Sequence, residues 1–330
     1  MSNPLLFFVN PKSGGGLGGK LISRIKDMPD VYIVKLPDEE NSWTSMSPEI
    51  LNNPNLRAVI CGGDGSVSWI VPLLMKHYGL NAEPSVFRPP AAIIPLGTGN
   101  DMSRVLNWGP YFTNHDLRRI AKKINDIRSA TEIKNHDVWK VSELPNGETE
   151  PKVHMMTNYC SFGTDAKIAR DFEDFRTDHQ ECFCCRCMSK TIYGPIAFKS
   201  MCGQPNLNEY TVAKMSFAND ESDLKPKSKS KVLCIQQIPS MYAGMDTWHF
   251  PEPRSVDDGK FEVTEMGGFG SLLKVQLGMH PTNKIGQADH LEMTTTERMY
   301  YQVDGEGYCA EKPATFTVEK YGTYPLLYFV

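Results

Sequence analysis

Residues 61–71 read "CGGDGSVSWIV", with Gly62, Gly63 and Gly65 crowded around Asp64 between an apolar run and a helical pattern. Taken alone, the stretch fits two structures. It can be a strand-to-helix turn in which glycine supplies positive φ and Asp64 caps the helix. It can also be a phosphate cradle, in which missing Cβ atoms let backbone N–H groups approach an anion and the helix N-terminus adds partial positive charge. The surrounding sequence decides between them, and with them the fold.

Outward from this turn lie four short apolar runs: "LLFFV" (5–9), "VYIVK" (31–35), "RAVIC" (57–61) and "AAIIP" (91–95). Runs of this kind suit strands buried on both faces of a parallel sheet. Helical patterns separate them. "SVSWIVPLLMKH" (66–77) is one, with Pro72 expected to kink it or end it early. "HDLRRIAKKIN" (115–125) is another, with Leu117, Ile120, Ala121 and Ile124 at helical spacing. The alternation predicts a doubly wound α/β domain.

Beyond about residue 138 the pattern becomes β-branched and aromatic, as in "VHMMTNYCSF", "KVLCIQQIP", "KFEVTEM" and "ATFTVEKY". Turn residues separate these segments, which predicts a mainly antiparallel β-sandwich. The lysine-rich bridge "NDESDLKPKSKSK" (219–231) reads most simply as a solvated loop. Its Lys225, Lys227, Lys229 and Lys231 are also candidates for contact with an anionic membrane surface.

The whole chain sets outer bounds. Its 330 residues, 40% hydrophobic and 22% charged, describe a soluble globular protein with core enough for two domains. A net charge of −4 excludes a dedicated nucleic-acid binder. No apolar run approaches a membrane span, and "MSNPLLFFVN" has no basic region before its short apolar run, so no signal peptide is expected. Nine cysteines, an odd number, point to reduced thiols in a cytosolic compartment. Oligomeric state is left open.

The α/β half carries three glycine-rich turns, each directly after a predicted strand. "NPKSGGGLGGKL" (10–21) contains G-x-G-x-x-G at Gly14, Gly16 and Gly19, with acids further on at Asp38–Glu40. It also nearly fits G-x-x-x-x-G-K-[ST], but Leu21 stands where a hydroxyl should be. So glycine-rich a run satisfies both patterns easily. The second turn is the opening stretch. The third is "PLGTGNDMSRVL" (95–106), where Gly97 and Gly99 flank Thr98 ahead of Asn100 and Asp101. In an open parallel sheet all three lie at the carboxyl edge, where ligands bind. Together they carry Asn10, Ser13, Asp64, Ser66, Thr98, Asn100 and Asp101, and a polyphosphate site is the reading that accounts for all of them.

"VNPKSGGG", "CGGDGS" and "PLGTGND", in this order and spacing, resemble the catalytic domain of diacylglycerol kinases. The resemblance continues through "HDVWK" (136–140), "NYCSFGTDAKIA" (158–169), "IPSMYAG" (238–244) and "QVDGEGY" (302–308). Sphingosine and NAD kinases share the G-G-D-G turn, but "PLGTGNDMSRVLNWG" looks like the diacylglycerol kinase version. Departures are small: Ser66 replaces threonine, and Gly307 stands where proline is usual. The zinc-bearing lipid-sensing repeats of larger members are not seen, so a near-minimal catalytic unit is expected.

The resemblance implies two lobes: an ATP-binding α/β domain at 1–137 and a β-rich accessory domain at 138–311, with a tail of about 312–330 expected to pack on the first. It implies that Asn10, Pro11, Lys12, Ser13 and Gly14, with Gly62, Gly63, Gly65 and Ser66 and with Gly97, Thr98, Gly99 and Asn100, hold ATP. It implies Mg2+ in a carboxylate and water network of Asp64, Asp101 and Asp137. Asp304, in "VDGE" (303–306), matches the family's general base, with Glu306 close by, although the residues alone read as a D-G hairpin turn. In related sphingosine kinases the G-G-D-G aspartate is the base, so Asp64 competes with Asp304.

The implied reaction transfers a phosphoryl group from ATP to diacylglycerol in a membrane, giving phosphatidic acid and ADP. A protein without an anchor would then be cytoplasmic and reversibly membrane-associated. Alternatives are sphingosine, ceramide or monoacylglycerol as acceptor, or an inactive lipid-binding module. "HQECFCCRCMSK" (179–190) places Cys182, Cys184, Cys185 and Cys187 beside His179. It reads as a plain surface loop, with zinc binding and acylation as alternatives.

Overall fold

The computed structural model describes residues 3–79, 87–179, 205–212, 227, 229–279 and 281–330. The chain forms two compact units. One comprises Met1–His136, Tyr242–Gly244 and Gly322–Val330; the other comprises Asp137–Met241 and Met245–Tyr321.

In the first unit, β1 (Leu5–Val9), β2 (Val31–Lys35), β3 (Arg57–Gly62) and β4 (Ala91–Pro95) form a parallel sheet in the order β2-β1-β3-β4. Every residue of β1 and β4 is buried, which is why their sequences run apolar without alternation. The helix Ser13–Ile25 follows β1, and the helix Asp64–Tyr78 follows β3. The latter runs through Pro72 as one helix, so the early end that the sequence allowed does not occur. Its Val67, Ile70, Val71, Leu74 and Met75 are buried on both sides of the proline. Burial of such side chains, worth about 1.5–3 kcal/mol each, outweighs the roughly 3 kcal/mol cost of an interior proline.

The remaining strands are β5 (Glu132–Pro145), β6 (Lys152–Met156), β7 (Tyr159–Gly163), β8 (Thr211–Val212), β9 (Val232–Gln236), β10 (Phe261–Met266), β11 (Asn283–Ala288), β12 (His290–Thr295), β13 (Met299–Val303), β14 (Glu306–Ala310) and β15 (Ala314–Tyr328). In the second unit an antiparallel sheet has the order β11-β10-β9-β7-β13-β14. A second layer pairs β5 with β6, and β12 with β8 and the first residues of β15. One core joins the layers: Trp139 and Phe316 come from one, Phe162, Phe261 and Tyr301 from the other. This is the expected sandwich. The last residues of β15 belong to the first unit, where Leu326 pairs in parallel with Ala91 of β4. Among the described residues no helix is long and apolar enough to cross a membrane.

Candidate active site

The three glycine turns meet at one edge of the first unit. After β1, Gly14, Gly15 and Gly16 are all left-handed, with φ of 64, 65 and 84°. The Asn10 side chain accepts the Lys12 N–H at 3.0 Å, and the Asn10 carbonyl accepts the Ser13 N–H at 3.1 Å. Pro11 accepts the Gly19 N–H at 3.0 Å, which closes the turn onto the helix. Leu21, the residue that breaks the P-loop pattern, is fully buried in the core.

A Cβ on Gly14 would lie 3.3 Å from the Leu96 carbonyl, so the first turn abuts the third. The second and third touch directly. A Cβ on Gly63 would lie 3.1 Å from Gly97 Cα, and one on Gly97 would overlap Gly63 Cα. Gly62 is glycine for a different reason: a Cβ there would occupy the place of the Ser66 side chain. Gly65 is half-buried in the first turn of the Asp64–Tyr78 helix, and Thr98 is exposed at the tip of the third turn. Lys12 is exposed beside the first turn.

Two aspartates tie these turns together. The Asp64 carboxylate accepts the N–H groups of Asp101 at 3.1 Å and Met102 at 3.0 Å, so it caps the short helix Asp101–Val105. The Asp101 carboxylate accepts the N–H groups of Ala243 at 3.1 Å and Gly244 at 2.8 Å. Tyr242, Ala243 and Gly244 all have positive φ (49, 69 and 109°), a costly backbone for the first two. Gly99 stands between the two acids. A Cβ on it would lie 3.0 Å from Asp64 Oδ2 and 3.3 Å from Asp101 Oδ2, so both oxygens flank the same point.

Asn100 adds a further pointer. It is left-handed, 2% exposed, and its Nδ2 donates to the carbonyls of Gly97 and Pro110, both at 2.8 Å. Those two bonds fix the amide, and its Oδ1 is left buried with no hydrogen-bond partner among the described residues. A buried acceptor left open where Gly97 meets Gly63 suits a site that receives a cation or a donor group. Among the described residues no three His, Cys, Asp or Glu side chains are grouped to hold a metal by themselves. A magnesium ion bound through one or two carboxylates, with water and phosphate oxygens completing its shell, needs no such trio. Asp64 and Asp101 fit that pattern.

The other proposed site residues lie in the second unit. Asp304 and Gly305 form the two-residue turn between β13 and β14, with φ of 49 and 91° and Val303 opposite Glu306. The D-G hairpin anticipated from the residues is therefore present. Asp304 is more than a turn residue, because it is buried and its carboxylate takes four hydrogen bonds. Oδ2 accepts from the Thr157 N–H at 2.8 Å and the Thr157 hydroxyl at 2.9 Å. Oδ1 accepts from the N–H groups of Asn158 and Tyr159, both at 2.9 Å.

A second chain of bonds supports the same turn. Gly305 N–H donates to Gln302 Oε1, and Gln302 Nε2 donates to Ser161 Oγ, both at 2.7 Å; Ser161 in turn donates to Asp165. Glu306 is exposed and accepts from the Tyr308 hydroxyl at 2.8 Å. Burial first, then the charge of Glu306, pushes the Tyr308 hydroxyl up from its ordinary range, so it stays a donor. Asp137 is fully buried, 2.6 Å from the Lys320 ammonium through Oδ1 and hydrogen-bonded to the Gly259 N–H through Oδ2.

Sequence reasoning missed the residues that hold these acids: Thr157, Asn158 and Tyr159 around Asp304, and Ala243 and Gly244 around Asp101. Apart from the Thr157 hydroxyl, their contribution is backbone N–H, which every residue but proline supplies, so side-chain chemistry gives little signal. Cys182, Cys184, Cys185 and Cys187 lie outside the described residues, as does Lys225.

Two family models match the chain: the diacylglycerol kinase catalytic domain over residues 4–132 and the diacylglycerol kinase accessory domain over residues 155–307. The eye-specific diacylglycerol kinase of Drosophila melanogaster is 31% identical over 96% of this chain and 22% of its own length. Human diacylglycerol kinase zeta is 32% identical over 93% of this chain and 34% of its own length. The chain thus spans between about a fifth and a third of the length of these relatives.

Among solved structures, a diacylglycerol kinase from Bacillus anthracis superposes with a TM-score of 0.55 at 17% identity, covering 99% of this chain and 97% of that one. Yeast NADH kinase superposes with a TM-score of 0.51 at 13% identity, covering 100% and 84%. The fold is the one shared by diacylglycerol and NADH kinases. The chain belongs to the diacylglycerol kinase family.

Proposed function

We propose that the chain is an ATP-dependent diacylglycerol kinase that converts 1,2-diacylglycerol to phosphatidic acid and ADP, acting from the cytoplasm on a membrane it binds reversibly. The observation that carries this is the joining of three glycine turns around the paired carboxylates of Asp64 and Asp101. The close packing of Gly63 on Gly97, with Gly14 against the Leu96 carbonyl, gathers the backbone of the three turns at one place, as a polyphosphate site needs. Bound Mg2+ would neutralise the β- and γ-phosphate oxygens, with Asp64 and Asp101 as its protein holders. Asp137, paired with the Lys320 ammonium and the Gly259 N–H within the second unit, is not counted among these holders.

In the transfer, the lipid hydroxyl oxygen bonds to the γ-phosphorus and the bond to ADP breaks. The hydroxyl proton passes to a carboxylate, for which Asp304 is the first candidate and Asp64 the second. A carboxylate offers about four lone-pair positions, and the donors on Asp304 occupy all four. One of them has somewhere else to go: Thr157 Oγ1 also lies 3.4 Å from Asn158 Oδ1. Rotation of that hydroxyl toward Asn158 opens Asp304 Oδ2 to the substrate proton.

The test is phosphoryl transfer from labelled ATP to a panel of diacylglycerol, monoacylglycerol, ceramide and sphingosine in mixed micelles with Mg2+. Diacylglycerol is expected to be the preferred acceptor, and Asp64→Ala to abolish most turnover. No labelled lipid from any acceptor would overturn the kinase assignment; preference for a sphingoid base would move it to the related class.

A further inference from the structure

Among the described residues of the second unit, exposed lysines and the most exposed apolar turn are attached to opposite ends of one short helix, Phe269–Gln276. At its leading end, Glu265 accepts the Lys227 N–H at 2.8 Å and lies 3.8 Å from the Lys227 ammonium. Lys231 N–H donates to the Met266 carbonyl at 3.0 Å, and the Lys231 stem crosses Gly268, where a Cβ would lie 3.0 Å from Lys231 Cδ. The basic segment is therefore fastened to the residues that lead into the helix. The helix spans only about 12 Å at 1.5 Å per residue.

At its trailing end the backbone closes in a fixed way. Met279 N–H donates to the Lys274 carbonyl at 2.9 Å and Gly278 N–H to the Val275 carbonyl at 3.0 Å, with Gly278 at a φ of 73°. This helix ending ordinarily folds an apolar residue after the glycine back onto one in the last turn. Here the facing position is Lys274, and the apolar side chains either side of Gly278 stay open to solvent: Leu277 is 66% exposed and Met279 46%. From Gly267 to Gly286 the chain carries Lys274 and Lys284 and neither Asp nor Glu, although the whole chain is net negative at −4. Lys229 and Lys274 are exposed and enter no ion pair among the described residues.

We propose that Leu277 and Met279, with Lys274 in the same turn and Lys229 in the segment fastened to the helix's other end, form the surface by which the chain docks on an anionic lipid bilayer. Two apolar side chains on a backbone-locked turn enter the acyl boundary, and the lysines meet lipid phosphates. The charge selects the bilayer over a second copy of the chain, which would bring the same lysines against these. The proposal rests on the kinase reading above, which requires a substrate held in a membrane.

The test is co-sedimentation of the full chain with phosphatidylcholine vesicles, with and without about 30% phosphatidylserine. Each variant is also assayed for turnover of a short-chain diacylglycerol dispersed in solution. Leu277→Ser/Met279→Ser is expected to lower vesicle partitioning about tenfold or more. Lys229→Gln/Lys274→Gln is expected to lower it about tenfold or more on anionic vesicles and little on neutral ones. Both variants should retain wild-type turnover of the dispersed substrate, which also verifies their folding. Wild-type partitioning by both variants would overturn the proposal, as would a wild-type chain that ignores anionic vesicles. A wild-type dimer that Leu277→Ser/Met279→Ser dissociates would assign the tip to a second copy and also overturn it. Absence of dispersed-substrate turnover in the wild type would strike the kinase reading instead.

Discussion

The Asp304 carboxylate illustrates how much a conservative change costs at a saturated acceptor. In Asp304→Asn, an NH2 group replaces one oxygen and must face either the Thr157 pair of donors or the N–H groups of Asn158 and Tyr159. Donor then meets donor in a buried site, a loss of about 1–3 kcal/mol per unsatisfied group. Asparagine would serve a bare hairpin turn well, so a marked fall in melting temperature is expected here whatever the chemistry. Turnover alone therefore cannot isolate the base. Thr157→Val removes one donor and leaves the carboxylate, and should keep kcat within a few-fold. Asp304→Asn should lower kcat about 100- to 10,000-fold and flatten the acidic limb of the kcat–pH profile, with nucleotide binding retained. An unchanged acidic limb would transfer the base role to Asp64.

At the scale of elements, the parallel strands were legible because each is a short apolar run buried on both faces. The meeting of the glycine turns was legible because glycine is the one residue able to pack position 63 against position 97. Pro72 does not end its helix because its local penalty is smaller than the burial gained along the helix around it. The residues that orient Asp101 and Asp304 were hidden, since strained backbone at Tyr242–Gly244 and N–H donors at 157–159 leave no mark in side-chain chemistry. Gly307 falls between these cases. Its departure from the family's proline was visible, and the structure supplies the reason: β14 lies so close to the helix Thr164–Asp178 that a Cβ on Gly307 would sit 2.6 Å from Arg170 Cα. Gly307→Ala is expected to destabilise the second unit by about 1–3 kcal/mol through overpacking, read as a lower denaturant midpoint. In the first unit, Gly97→Ala should open the contact between two turns. Nucleotide affinity is expected to fall at least tenfold, measured by titration calorimetry, while the parallel sheet stays folded by circular dichroism.

For the whole molecule, the pH dependence of stability should carry the signature of one buried acid. Glu262, on β10, is 1% exposed; its Oε1 accepts from Gln287 Nε2 at 3.1 Å, and its Oε2 has no hydrogen-bond partner among the described residues. Burial pushes its carboxyl up from 4.5 to about 7, with Gln287 and the charge of Arg254 pulling partly back. A raised acid binds its proton more tightly in the folded state, so its contribution is complete below pH 4.5 and is lost as pH rises through about 7. The loss across that window is on the order of 3 kcal/mol at 1.36 kcal/mol per unit. Wild type should accordingly melt lower at pH 8 than at pH 5.5, and amides of β9 and β10 should exchange faster at pH 8 once corrected for intrinsic rates. Glu262→Gln keeps the shape and the Gln287 contact while removing the ionisation. It should flatten the profile and raise the pH 8 melting temperature above that of wild type, with kinase turnover unchanged at pH 7. A Glu262→Gln protein that keeps the wild-type slope would place the titrating group elsewhere in the fold.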